Sequence, residues 1–593
     1  MTKFSKILVT ILLLNPLTLN ATSANDTWVG EPFSGFKNIK SVKSSKYMIS
    51  TADEMASEAG ERAIEKGGNA IDAAIAAQLV LNIVEPHSSG IGGGGFLLYY
   101  DAKTKKTTFF NGREKAPAKA YPEMFLDENG DPKKFQEAVK GGLSVGTPGL
   151  LMILKQAHEK YGKLKWEELF DCAIETAENG FEADKRMTIL AGKIGYLKDF
   201  SQSKSLYLND NNKPKKAGSK IKNEEMALTL KIIAKEGIAP FYEGQIAKDI
   251  VNAVQNSKIN PGFLSASDLK NYRSTIGDLV CSKYRGKYKI CSMPLPSSGG
   301  ITVLQILSIL ENFDLAKMNP NDPKTIHLIL EATKLAYADR NEYISDSSNV
   351  PIEEMLDKKY LKNRAKLIDP NKAAKNVKPG KFVDDYSLAA RNMVFDKYAN
   401  EPFSTTHLSV IDEEGNAVAL TSSIEYFFGS GISVRGFMLN NQMTDFSFRP
   451  QINGKLVANR VQPNKMPRSS MSPTLVFDND DNLIMTVGSP GGPRIIQFLV
   501  KTILLNLDFN YNIQQAISAP NFVVLNDLVE LEAGTDIVKT KSDLEKLGHI
   551  VSITDIVSGI NGVTKLDSGK LEGGSDPRRQ GKAIGDKRFF GLF

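Results

Sequence analysis

Residues 404–423 read STTHLSVIDEEGNAVALTSS. Thr405 to Ile411 alternates with a period of two, and so does Ala417 to Ser423. Between them lies the turn-forming stretch DEEGN. Two alternating runs around such a stretch make a β-hairpin. With Glu413, Glu414 and Gly415 as a three-residue loop, the pairing centres on Glu414 and Thr405 faces Ser423 across the strands. Gly415 then takes the left-handed last position of the loop. A two-residue loop would shift the register by one and undo that pairing.

Outward from the hairpin the character changes. Residues 370–404 are polar and aperiodic, with Pro370, Pro379 and Pro402, and read as an exposed, extended segment. Residues 51–82 carry helical spacing. Ala56, Ala59, Ala63 and Ile64 share a face, Gly67-Gly68 stops that helix, and Asn69 caps an alanine-rich second helix through Asn82. Gly92 to Gly95 reads as a mobile turn and Phe96 to Tyr100 as a buried strand. No Lys-Ser/Thr follows these glycines and no strand-turn-helix surrounds them, so they are neither a phosphate loop nor a dinucleotide motif. Close backbone packing is the better reading. The middle, roughly 145–370, is mostly helical by pattern, with a lysine-rich loop at 202–222. PLPSSGG (294–300) is a turn before a further helix.

The chain has 593 residues, 41% hydrophobic and 24% charged, with 74 basic and 68 acidic side chains. That is ordinary for a globular protein, and a net charge of +6 is a poor basis for nucleic-acid binding. Lys3 and Lys6, the apolar run Ile7 to Leu14, and the small residues Ala21, Ser23 and Ala24 make residues 1–24 a secretory signal, cut after Ala24. The run is too short for a membrane anchor, and a soluble mature protein, periplasmic or secreted, is expected. Cys281 and Cys291 flank KYRGKYK, a second hairpin with its turn near Arg285-Gly286. Export would allow them to pair, and two reduced strand cysteines read equally well. The five histidines (87, 158, 327, 407, 549) show no metal-ligand spacing and no triad.

The string STTHLSV (404–410) resembles the processing site of the γ-glutamyltransferases, a family of N-terminal-nucleophile hydrolases. GGNAIDAAIA, VEPHSSGIGGGGF, FNGREKAPAKA, PSSGG, LNNQMTDFS, PNKMPRSSMSPT, GSPGG and GSDPRR match in the family's order, from about residue 40 to the end. The resemblance implies an α+β fold, a four-layer αββα sandwich with two antiparallel sheets between helical layers. It implies self-cleavage between Ser404 and Thr405 into chains 25–404 and 405–593, which stay together as a heterodimer. A threonine hydroxyl is a poor nucleophile without a base. An N-terminal threonine carries one, its α-amine, with an ordinary pKa near 8.

The resemblance also distributes roles. Thr405 is the nucleophile, oriented by Thr406 and Ser423. Arg113, Ser469 and Ser470 hold the substrate α-carboxylate, for which a guanidinium offers a two-point contact. Asp445, assisted by Gln442, pairs with the α-ammonium. Gly491 and Gly492 present the backbone N–H groups of an oxyanion hole. Two positions depart from the usual pattern: Ser423 stands where many members have threonine, and Glu425 where many have asparagine. A carboxylate at 425 accepts a bond from the ammonium but cannot donate one. The loop 446–468 is a candidate lid. The implied reaction transfers a γ-glutamyl group from glutathione or a related donor to water, an amino acid or a dipeptide, with no metal or cofactor. Two rivals are a glutaryl or β-lactam side-chain acylase of the same superfamily and an exported γ-glutamyl-peptide binding protein without turnover.

Overall fold

The computed structural model describes residues 31–33, 35–347, 349–382, 393–394 and 404–586. The export signal over 1–24 and the stretch 395–403 before Ser404 lie outside the described residues. As expected, 370–382 is largely exposed and without helix or strand.

The hairpin forms with strands Ser404–Ile411 and Ala417–Glu425. Ile411 pairs with Ala417, so the loop is Glu413, Glu414 and Gly415, and Gly415 takes a φ of +85°. Both strands are buried throughout, so one-residue slippage would drive Leu408 and Val410 out of an apolar layer. The hairpin is the centre of a seven-stranded sheet in the order Lys582–Gly585, Met48–Thr51, Ser404–Ile411, Ala417–Glu425, Gly94–Asp101, Lys106–Gly112, Thr275–Gly277. A second seven-stranded sheet packs on it, ordered Val42–Ser44, Leu571–Ser575, Asn561–Lys565, Leu483–Gly488, Thr474–Phe477, Tyr288–Ser292, Val280–Tyr284. All pairings in both sheets are antiparallel.

Alternation along each strand assigns its side chains to two layers. Leu408, Val410, Val418 and Leu420 join a core with the helices Glu54–Glu65, Ala70–Val84 and Leu150–Tyr161. Ile411, Ala417 and Ala419 face the other way, into a core shared with the second sheet and the helices Gly299–Leu310, Pro323–Tyr343 and Arg494–Leu507. The result is helix, sheet, sheet, helix. Ala70–Val84 is buried along its whole length and held at its start by a reciprocal cap, Asn69 with Asp72, of a kind typically worth about 1 kcal/mol. Glu54–Glu65 stops at Gly67, whose φ is +92°.

Two local expectations need correction, and one open choice is resolved. Gly94 and Gly95 belong to the strand Gly94–Asp101, and only the residues before them turn. The backbone packs closely here, as expected: a Cβ would lie 2.2 Å from the Ser423 carbonyl oxygen at Gly93, 2.4 Å from that of Gly112 at Gly94 and 2.8 Å from that of Thr421 at Gly95. The helix Ser201–Tyr207 occupies the first part of the stretch read as the loop 202–222, with Ser203 and Tyr207 buried and the Ser203 hydroxyl donating to the Gly431 carbonyl. Cys281 and Cys291, opposite each other in the second hairpin, form a disulfide. No helix among the described residues is long and apolar enough to cross a membrane.

Candidate active site

The regular register breaks where the hairpin opens. Ser404 pairs with Glu425 and Thr406 with Ser422, so Ser423 and Ile424 together oppose Thr405. This is a β-bulge, which re-aims a side chain without ending the strand. Glu425 absorbs the distortion with a φ of +79°. Thr405, 4% exposed, thereby places its Oγ1 2.5 Å from the carbonyl oxygen of Ser404, to which it donates, and 3.3 Å from Ser423 Oγ. Ser423 Oγ donates to the same carbonyl at 2.7 Å and accepts from the Glu425 N–H. Two hydroxyls thus polarise the carbonyl of the peptide bond that joins Ser404 to Thr405. The expected Thr405–Ser423 juxtaposition holds, through a bulge that periodicity does not reveal.

Thr406 points to the opposite face and donates to Glu85 Oε2 at 2.7 Å. Whatever orientation it confers on Thr405 passes through the backbone. Glu85 belongs to a buried charge cluster behind the strand. Arg186 donates to Glu85, Ser88 and Glu31, and Arg579 donates to the Thr405 carbonyl at 3.1 Å. Ser404 Oγ donates to the His87 carbonyl at 2.5 Å. Burial raises the Glu85 carboxyl while Arg186 and Arg579 pull it back. Burial, then Arg186 and Arg579, hold the His87 imidazole well below its ordinary range. These groups received no role from sequence. Glu85 and His87 lie in VEPHSS and Arg579 in GSDPRR, but nothing local says that segments some 490 residues apart close on one strand, and Glu31 and Arg186 lie in neither motif.

In front of Thr405 lies a small, partly open cavity lined by Arg113, Ser404, Ser423, Glu425, Gln442, Asp445, Arg468, Ser469, Ser470, Met471, Gly492 and Ile495. Arg113 is 1% exposed. It pairs with Asp445 and, at 3.4 Å, with Glu114, and donates to the carbonyls of Pro467 (3.2 Å) and Arg468 (3.0 Å). Gln442 Nε2 donates to Asp445 at 2.5 Å. Thr444 donates to Glu425 Oε1 at 2.9 Å, and Glu425 Oε2 has no partner among the described residues. Burial, and next the charge of Asp445, push the Glu425 carboxyl well above its ordinary value. A protonated Glu425 can donate, which the sequence reading of an ionised carboxylate did not allow. Burial also pushes Glu114 up to about 7, against the pull of Arg113.

Ser470 Oγ accepts from Arg340 at 2.8 Å, and Ser298, in PSSGG, donates to the Ser469 carbonyl through its N–H (2.7 Å) and hydroxyl (2.8 Å). The serine pair is thus braced by a motif that carried no assignment. Gly491 and Gly492, with φ of +131° and +55°, form the turn into the helix Arg494–Leu507, whose N-terminus favours negative charge. A Cβ at Gly491 would lie 2.7 Å from the Phe498 ring. Of the loop 446–468, residues 451–452 and 455–457 form a small hairpin, and Asn459 ties its return to the Asp445 carbonyl and the Arg468 N–H.

Residues 56–586 match the family Gamma-glutamyltranspeptidase. The Glutathione hydrolase proenzyme of Bacillus subtilis (strain 168) is 38% identical over 553 residues, covering 91% of each chain. The structure of Helicobacter pylori gamma-Glutamyltranspeptidase matches with a TM-score of 0.53 and 34% identity over 58% of this chain and 97% of that one. Cephalosporin acylase from Bacillus halodurans matches with a TM-score of 0.77 over 95% and 99% of the two chains, and its 24% identity speaks to the fold alone. On the extent and order of these matches, the chain belongs to the γ-glutamyltranspeptidase family.

Proposed function

We propose that this protein is a self-processing γ-glutamyltransferase and glutathione hydrolase whose nucleophile is Thr405. The observation that carries this reading is the placement of Thr405 Oγ1 against the Ser404 carbonyl, on the wall of a cavity that also presents Arg113 and Asp445. In maturation, Thr405 Oγ bonds to the Ser404 carbonyl carbon, the bond to Thr405 N breaks, and the hydroxyl proton ends on that nitrogen. Water then hydrolyses the ester, leaving chains 25–404 and 405–593 and a free α-amine beside the hydroxyl it serves as base.

In turnover, the Arg113–Asp445 pair opens around the glutamyl head group. The α-carboxylate takes Arg113, Ser469 and Ser470, and the α-ammonium takes Asp445, Gln442 and Glu425. Gripping both charges selects γ- over α-linked glutamyl groups. Thr405 then attacks the γ-carbonyl, and Gly491 and Gly492 receive the oxyanion. Water, an amino acid or a dipeptide releases the acyl group. A side-chain acylase has less need of a site that grips an α-ammonium, and Asp445 beside Arg113 favours the glutamyl reading. A non-turning binding protein would have no use for cleavage. The leader over 1–24 supports a periplasmic or secreted site of action. Incubation with a γ-glutamyl anilide, with and without glycylglycine, tests the reading: release of the aniline, faster with the dipeptide, is expected, and none from purified, cleaved protein would overturn it.

A further inference from the structure

Far along the chain from the cavity residues, three ligating side chains converge in the helical layer beside the second sheet. His327 and Glu331 stand four apart on the helix Pro323–Tyr343, hence on one face. His549 comes from the turn before the strand Ile550–Thr554. All three are at least nine-tenths buried, and their ligand atoms lie within 4.8 Å of one another.

The hydrogen bonds define which atoms are available. His327 Nε2 lies 2.8 Å from the Asp369 carbonyl, which can only accept, so Nε2 carries the proton. In the neutral ring Nδ1 then holds its lone pair toward His549 Nε2, 2.8 Å away. His549 Nε2 donates into it, and His549 Nδ1 is buried without a partner among the described residues. Glu331 is held by the Ala374 N–H at 2.9 Å and Lys334 Nζ at 2.8 Å, which leaves carboxylate lone pairs over. A backbone carbonyl behind one imidazole and a backbone N–H behind the carboxylate are the supports that orient metal ligands.

We propose that His327, Glu331 and His549 bind one zinc ion, which clamps the C-terminal part of the chain to the helix Pro323–Tyr343. Two imidazole nitrogens and one carboxylate oxygen suit zinc, with water in the fourth position. Bonds of about 2.0–2.2 Å place tetrahedral ligand atoms roughly 3.3–3.6 Å apart. The imidazoles therefore part by about half an ångström and the carboxylate swings in. The proton on His549 Nε2 passes to its unpartnered Nδ1, freeing Nε2 for the metal. Lys334 is the competing cation. The ligands stand on both sides of Ser404–Thr405, so after the cleavage proposed above the ion would tie the two chains together; its binding does not depend on that cleavage.

The test uses untagged full-length protein, stripped by dialysis against a chelator and titrated with zinc chloride against a chromophoric competitor. The expected result is one zinc per chain and a rise in Tm on adding zinc. His327→Ala and His549→Ala should each weaken uptake roughly a hundredfold or more, and Glu331→Gln, the milder change, should weaken it by about tenfold or more. Lys334→Met should tighten it. The uncut Thr405→Ala chain should take up zinc like wild type, which separates this site from the cleavage. Uptake below one equivalent, or uptake and Tm response that His549→Ala and Glu331→Gln leave unchanged, overturns the proposal.

Discussion

Replacing Arg113 by lysine separates substrate binding from self-cleavage. The guanidinium reaches two backbone carbonyls and two carboxylates from one buried position. Lysine keeps the charge and loses the planar fork, so it cannot hold those carbonyls and also meet a carboxylate at two points. Losing one charge-assisted bond to substrate costs about 1.5–3 kcal/mol. At about 1.36 kcal/mol per decade this lowers kcat/KM roughly 10- to 150-fold. The assay is initial-rate kinetics with a γ-glutamyl anilide, beside a denaturing gel of the same preparation. The Ser404 carbonyl is held by Thr405 and Ser423, so the variant should still cut itself. An uncut Arg113→Lys chain would refute the reasoning and make Arg113 a structural residue of the precursor.

Thr405→Ala removes the nucleophilic oxygen and should remain one inactive chain on a gel. Ser423→Ala removes one of two donors to the Ser404 carbonyl and should slow self-cleavage on the order of 10- to 100-fold, followed as loss of precursor band with time. Glu425, raised above the ordinary carboxyl range, must ionise to pair with an ammonium, so KM should fall as pH rises through its pKa; in Glu425→Gln that fall should vanish from the pH profile. Glu114 is raised to about 7 in the folded chain, so the folded state binds more protons than the unfolded one between pH about 4.5 and 7. Its contribution to stability is full below that window and lost as pH rises through it, and Glu114→Gln should flatten the decline in denaturant midpoint across it.

The hairpin was legible in 404–423 because two short-range signals agree, the period of two and a loop glycine at the left-handed position. The bulge at Thr405 was not legible. It depends on Glu425 turning to a positive φ, which Ser88 and Asn441 secure by taking the Ile424 and Tyr426 backbone groups. The cavity residues were named through a family resemblance, but the direct Arg113–Asp445 pairing, the upward shift of the Glu425 carboxyl and the Arg340–Ser470 bond arise from tertiary packing. The same holds for Glu31, Glu85, Arg186 and Arg579, whose like and unlike charges balance only once four distant segments meet. Gly92–Gly95 misled because glycine suits both a turn and a crowded strand. The neighbouring carbonyls decide between them, and no local pattern contains those.

The central claim is that Thr405 works through its own α-amine, made by cleavage. The most direct measurement is turnover of a γ-glutamyl anilide by residues 25–404 co-expressed with a separate small chain. One version starts at Thr405 and the other carries one non-removable residue before it. The account predicts that both pairs assemble, that the first turns over substrate without any processing step, and that the second does not. Full turnover by the extended pair would show that the α-amine is not the base, and would contradict the account.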